Sequence, residues 1–155
     1  MIENFCKALE ELKRVDHLVY VSLKYTRTVD VIKSAIDRLV NSFDFGITSL
    51  LEYSKEKKKI TEYPDNAALK CELVKKLFSD NGEVMEYMGM YALLRKLNKA
   101  EYTKREEYRK NVTMIAEIDN SETIEINTDV LKEYYEKTKT FAALVKRIIE
   151  EQKGE

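Results

Sequence analysis

An apolar row of unusual length runs through the first third of the chain. From residue 18 to residue 53, large side chains recur every three or four positions, with Ser22 and Gly46 filling the gaps. This spacing predicts an amphipathic helix with a coiled-coil-like stripe. The members of the row are Leu18, Tyr25, Val29, Ile32, Ile36, Leu39, Phe43, Leu50 and Tyr53.

One helix over about residues 17–57 would be roughly 60 Å long, at 1.5 Å per residue. That length exceeds the diameter of a domain of 155 residues. The helix must therefore break, or its stripe must find a partner in another part of this chain or in a second subunit. The sequence YTRTVD (25–30) is the predicted break, because Thr26 and Thr28 favour helix caps over helix interiors. Gly46 would let another helix approach the row closely.

The rest of the chain predicts more helices and one hairpin. One proline and four glycines leave few breaks over the whole chain. We predict a single domain over residues 1–155, a mainly α bundle of about five helices with one long helix and a small β-hairpin before the C-terminal helix. The predicted helices cover about residues 2–14, 17–57, 66–79, 83–99 and 128–152. The hairpin pairs 111–118 with 122–127, where period-two alternation replaces the helical period.

Composition and motifs exclude several classes of protein. The net charge of −1 gives no general attraction to DNA or to an anionic membrane, and no apolar run approaches the length of a membrane span. The N-terminus does not resemble a signal peptide. We expect Cys6 and Cys71 to be buried free thiols in a reducing cytoplasm. The abundance of Lys and Glu fits a thermophilic source.

Catalytic, cofactor and metal sites are not readable in the sequence. His17 is the only histidine, and no nucleophile motif accompanies it. Asp30, Asp37 and Asp44 are spaced by seven, so on one helix they lie about 10 Å apart and cannot share an ion. Neither a phosphate-cradling loop nor a zinc motif is present. We therefore expect no cofactor and no metal.

The stretch EYTKREEYRKN (101–111) is the best candidate site. From Arg95 to Lys110 there are seven basic side chains against three acidic ones, with two tyrosines interleaved. We expect the stretch to continue the preceding helix, which would align its basic and aromatic residues. The pattern favours an exposed helix face with Glu–Lys pairs, and the alternative is a surface for single-stranded RNA. The candidate residues are Arg95, Lys99, Tyr102, Lys104, Arg105, Tyr108, Arg109 and Lys110.

Two resemblances bear on this stretch. Residues 16–44 and 95–126 resemble a family of small, uncharacterised archaeal helical proteins. The sequence REEYRKN, from Arg105 to Asn111, resembles the motif of the HEPN superfamily, an Arg followed after four to six residues by His. The second resemblance implies an all-helical fold and RNA as the partner. Asn111 stands at the His position and cannot act as an acid or base in RNA cleavage.

Two functions follow from these patterns. The first is a non-enzymatic structural or interaction protein, a homodimer that assembles through its helical rows and its hairpin. The alternative is an RNA-binding or HEPN-like module that uses residues 95–110. We expect neither DNA nor a membrane as a partner.

Overall fold

The computed structural model describes residues 1–119 and 121–151. The chain forms a mainly α bundle of five helical rods with a three-stranded sheet before the last helix, in agreement with the predicted fold class. A π-helical segment, Leu18–Ser22, joins α1 to α2 in one rod. The elements are α1 (Ile2–His17), α2 (Leu23–Thr26), α3 (Val29–Glu56), α4 (Ala67–Leu77), α5 (Gly82–Lys99), β1 (Glu101–Arg105), β2 (Thr113–Glu117), β3 (Thr123–Ile126) and α6 (Thr128–Glu151).

The first rod is longer than the sequence predicts. The break predicted between the helices 2–14 and 17–57 is wrong, because the chain stays helical from Ile2 to Thr26. In the π segment the Leu23 N–H donates to the Leu18 carbonyl, five residues back. The carboxylate of Asp16 accepts a hydrogen bond from the Tyr135 hydroxyl at 2.8 Å and so ties the rod to α6.

The predicted break at 25–30 is confirmed. Arg27 adopts the left-handed conformation, with φ 41° and ψ 50°, and ends α2. Thr28 then caps α3, its side chain accepting from the Val31 N–H at 3.4 Å. A non-glycine residue in this conformation stores strain of about 1 kcal/mol or more, which the surrounding contacts must offset. The break divides the long apolar row, and Tyr25 is left 80% exposed.

The rest of the apolar row is buried inside the same chain. Leu39, Phe43 and Leu50 are fully inaccessible to solvent. Phe43 stacks on Phe141 of α6 with 4.6 Å between ring centroids. A Cβ added to Gly46 would lie 2.8 Å from the Phe141 ring, so the glycine permits the close approach predicted for it. The row is satisfied by intramolecular packing.

The hairpin is confirmed, but it belongs to a larger sheet. β2 and β3 pair antiparallel from Met114↔Ile126 to Glu117↔Thr123. The other edge of β2 pairs with β1, from Glu101↔Glu117 to Arg105↔Thr113. The helix predicted through 101–111 is therefore wrong. Without β1, one edge of β2 would have no strand to pair with. Pairing with β2 overrides the helix propensity of Glu, Lys and Arg in β1.

Most remaining predictions about the helices hold, with two corrections. Side chains of Asn66, Asn81 and Asn127 cap α4, α5 and α6, as the predicted starts near 66, 83 and 128 require. The spacing of Leu69, Leu73 and Leu77 predicts that all three face inward, but Leu69 is 56% exposed. Of the two free thiols Cys71 is buried, as expected, whereas Cys6 is exposed. Among the described helices, none is long and apolar enough to cross a membrane.

Candidate functional site

The fold divides the predicted basic stretch into three parts. Arg95 and Lys99 lie in the last turns of α5, Tyr102 to Arg105 lie on β1, and Tyr108 to Lys110 lie in the loop that follows. Five extended residues span about 16 Å, so β1 separates the two ends of the stretch. The single line of basic and aromatic side chains expected on a helix does not form.

The first part of the stretch packs against neighbours. The guanidinium of Arg95 lies 5.7 Å from the centroid of the Tyr91 ring. Lys99 is exposed in a depression that also contains three acidic residues. Tyr102 is half-buried against the core, so its ring is not free for base stacking. The acidic residues of the depression are Glu101, Glu117 and Asp119.

The two cations of β1 are engaged by carboxylates. Lys104 lies 3.4 Å from Asp30, and this ion pair raises the pKa of the Lys104 ammonium. Arg105 lies 2.5 Å from Glu125 on β3, and this bond holds the pKa of the Glu125 carboxyl below its ordinary value. All four groups are solvent-exposed, so the pairs contribute little to stability. They nevertheless reduce the charge that β1 offers to a ligand.

The loop after β1 docks on the break between α2 and α3. The Tyr108 N–H donates to the Arg27 carbonyl at 2.8 Å. The Val29 N–H, which has no partner within α3, donates to the Glu107 carboxylate at 2.9 Å. Glu106 and Tyr108 have positive φ, as Arg27 does. These contacts fix the loop against the end of the first rod.

A basic cleft forms where this loop, the first rod and the start of α6 meet. Its volume is about 280 Å³. Among the described residues that line it, four are basic and one, Asp129, is acidic, a difference of three positive charges. The basic residues are Lys24, Arg27, Lys110 and Lys132. We call this set the basic cleft.

The cations of the basic cleft are available to a ligand. Within residues 1–119 and 121–151, Lys24, Arg27 and Lys110 form no ion pair. Lys132 lies 5.2 Å from the ring centroid of Tyr20, a contact that leaves its positive charge uncompensated. The first turn of α6 also borders the cleft, and the N–H groups there carry partial positive charge.

One tyrosine lines the basic cleft, and two exposed tyrosines are connected to it through Arg27. Tyr20 lines it from the π-helical segment, a type of distortion that is frequent at functional sites. Tyr25 lies two residues before Arg27, and the backbone of Tyr108 bonds to Arg27. Tyr25 and Tyr108 are 80% and 76% exposed, which is unusual for rings of this size.

Sequence reasoning found only part of this site. It included Lys110, Arg109 and Tyr108, and the structure places Lys110 in the cleft and Arg109, exposed, beside it. It missed Lys24, Arg27 and Lys132, which have no local pattern in common. The only signal was the predicted break at 25–30, because a helix end next to a loop is where distant segments can meet.

The three aspartates of α3 take separate partners. Asp30 pairs with Lys104 and Asp37 with Lys33. Asp44 accepts a hydrogen bond from the Tyr91 hydroxyl, at the edge of a 220 Å³ pocket. Burial raises the pKa of the Asp44 carboxyl, although the Tyr91 hydrogen bond and Arg95 oppose the shift. No group of three His, Cys, Asp or Glu side chains placed to hold a metal occurs in the described part of the chain.

Comparison with protein-family models, with curated proteins and with solved structures finds no match to this chain.

Proposed function

We propose that this protein is a non-enzymatic module that binds single-stranded RNA in its basic cleft. The observation that carries the proposal is the convergence of Lys24, Arg27, Lys110 and Lys132 from three separate segments. A chain with a net charge of −1 has no general excess of cations, so their concentration in one cleft needs a specific reason. Uncompensated cations in a cleft attract phosphate groups.

The exposed tyrosines near Arg27 favour a nucleic acid over a free phosphate as the ligand. Tyr25 and Tyr108 are 80% and 76% exposed, and both are connected to Arg27, Tyr25 by two residues of chain and Tyr108 by a backbone hydrogen bond. Splayed-out bases stack on exposed aromatic rings, each stack contributing about 1–3 kcal/mol, whereas bases in a duplex are already stacked on each other. Single-stranded RNA is therefore the partner we propose.

The proposal is for binding without cleavage. In the stretch that resembles the HEPN motif, Arg105 is engaged by Glu125, and Asn111 lines the basic cleft where the motif has His. The amide of Asn111 does not titrate near neutral pH and so cannot transfer the protons that RNA cleavage needs. The segment is also strand and loop, not the helix on which we expected the motif.

Fluorescence anisotropy with a labelled RNA of about twelve nucleotides tests this function. If three phosphates are neutralised, the affinity should fall about twentyfold between about 50 and 200 mM salt. The Lys24→Ala/Lys110→Ala variant should lose most of the binding. Lys96→Ala/Lys99→Ala removes two exposed lysines outside the cleft and is the matched control.

Two outcomes would reject the function. One is no RNA binding even at low salt. The other is an equal loss in both double variants, which would show attraction to the overall charge and not to the cleft. DNA of the same sequence serves as a competitor, because only RNA offers a 2′-hydroxyl to the site.

The homodimer stays a prediction, but the helical rows that motivated it pack within this chain and do not require a second subunit. Its grounds were an apolar row without a partner and a lone hairpin, and this chain's own elements cover both. Light scattering at low micromolar concentration measures the mass directly. A mass of twice 18.2 kDa would restore assembly as a candidate function.

A further inference from the structure

A second open site lies between α1 and α6 and shares no lining residue with the basic cleft. It is a groove of about 510 Å³ whose lining is mostly apolar. Phe5, Leu9 and Leu12 of α1 form one wall, and Ala142 and Ala143 of α6 form the other. Leu9 is 39% exposed and Ala143 is exposed, so the groove is not closed by the chain itself. We call it the α1–α6 groove.

The length of the α1–α6 groove matches a short helix. From Phe5 to Asp16 the wall rises about 16 Å along α1, at 1.5 Å per residue. That is about three turns, which is long enough for a helix to present apolar residues at positions i, i+3 or i+4, and i+7. A third helix laid between two others is also how helical bundles bury such a groove.

The edges of the α1–α6 groove are positively charged. Among the residues that the structure describes, Lys13, Lys139 and Lys146 line it, together with a single acidic residue, Asp16. Asp16 is already hydrogen-bonded to the Tyr135 hydroxyl at 2.8 Å. The pairs of Lys139 with Glu136 at 3.7 Å and of Lys146 with Glu150 at 4.0 Å are long and exposed. Such pairs are weak and give way to a better acidic partner.

We propose that the α1–α6 groove binds an acidic amphipathic helix of a partner protein. Apolar side chains of that helix would fill the space between Leu9 and Ala143, and its carboxylates would face the three lysines. A second copy of this chain fits less well. A two-fold interface brings the same surface together twice, so the lysine edges of the two copies would repel each other.

A displayed library of helical peptides of about sixteen residues provides the test, with apolar and charged positions both varied. Selection on the wild-type protein, with counter-selection on Ala143→Glu, should enrich peptides with apolar residues spaced by three and four and a negative net charge. The best peptide should bind about tenfold or more weakly to Ala143→Glu and to Lys139→Glu/Lys146→Glu.

Ala92→Glu is the matched control. Ala92 is also an exposed alanine within a helix, but it lies on α5 outside the groove. This variant and Lys24→Ala/Lys110→Ala should bind the peptide as the wild type does, which separates this site from the basic cleft. Thermal unfolding of each variant checks that the fold is intact.

Three results would overturn the proposal. The first is that selection enriches no peptide that binds the wild type better than Ala143→Glu. The second is enrichment of basic or extended peptides. The third is a dimer, seen by light scattering, that Ala143→Glu dissociates, because the occupant would then be a second copy.

Discussion

The apolar row of α3 and the charged stretch 101–111 differ in how far their own local sequence determines their structure. In α3 the spacing of Ile32, Ile36, Leu39 and Phe43 repeats over several turns, and every one of these side chains is fully buried. The stretch 101–111 is rich in good helix formers, yet it forms a strand and a loop. Periodicity over many residues predicted structure correctly, and propensity over a few residues did not.

The difference has a physical cause. Burial of a long stripe is worth many kilocalories per mole and depends on the helix's own period. Residues 101–105 carry no such stripe, so β2, whose paired residues lie between Thr113 and Glu117, decides their conformation by pairing with them. Three predictions probe this contrast, from the largest expected effect to the smallest.

Phe141→Ala should destabilise the protein most. Phe141 is 1% exposed and packs on Phe43 and Tyr87, with centroids 4.6 and 5.5 Å away. Its removal should lower the free energy of unfolding by about 3–5 kcal/mol, as measured by urea denaturation. Thr140→Ala changes the exposed neighbour on α6 and should cost about 0.5 kcal/mol or less. Similar losses in both variants would contradict the packing of α3 on α6.

Glu107→Ala should have a smaller effect, because it removes a cap at the start of α3 and an ion pair with Lys104 at 3.5 Å. Its carboxylate accepts the otherwise unpartnered Val29 N–H at the start of α3. Loss of a cap of this kind costs about 1 kcal/mol. Glu10→Ala, at an exposed position of α1, is the control. Equal stability of Glu107→Ala and the wild type would mean that the loop does not cap α3.

The same contrast explains how much of the site the sequence could predict. Lys110 and Tyr108 were identified because charge and aromatic content are visible within eleven residues. Lys24 and Lys132 were missed, since only the tertiary fold brings them together. The left-handed conformations of Arg27, Glu106 and Tyr108 also had no signal, because none of these is the glycine that such a backbone usually takes. The break at 25–30 was predictable because its two threonines act locally.

The pH dependence of stability tests the raised pKa of Asp44, the carboxyl of α3 that accepts a hydrogen bond from Tyr91. Burial raises its pKa above the ordinary 3.8, so the folded protein binds this proton more tightly than the unfolded chain does. The resulting stability is present at low pH and is lost as the pH rises through the folded-state pKa. The stability of the wild type relative to Asp44→Asn should therefore be greater at about pH 4 than at about pH 7, by urea denaturation. No change, or a change of opposite sign, would refute the raised pKa.

RNA binding by two double variants tests the central claim most directly. Lys24→Ala/Lys110→Ala removes cations with no ion pair within the described residues, and Lys104→Ala/Arg105→Ala removes cations engaged by Asp30 and Glu125. Anisotropy titrations over a range of salt give the slope of log affinity against log salt. We expect the first variant to lose about 1.4 from this slope and the second to keep the wild-type value. A larger loss in the second variant would place the site on the strand and contradict the cleft.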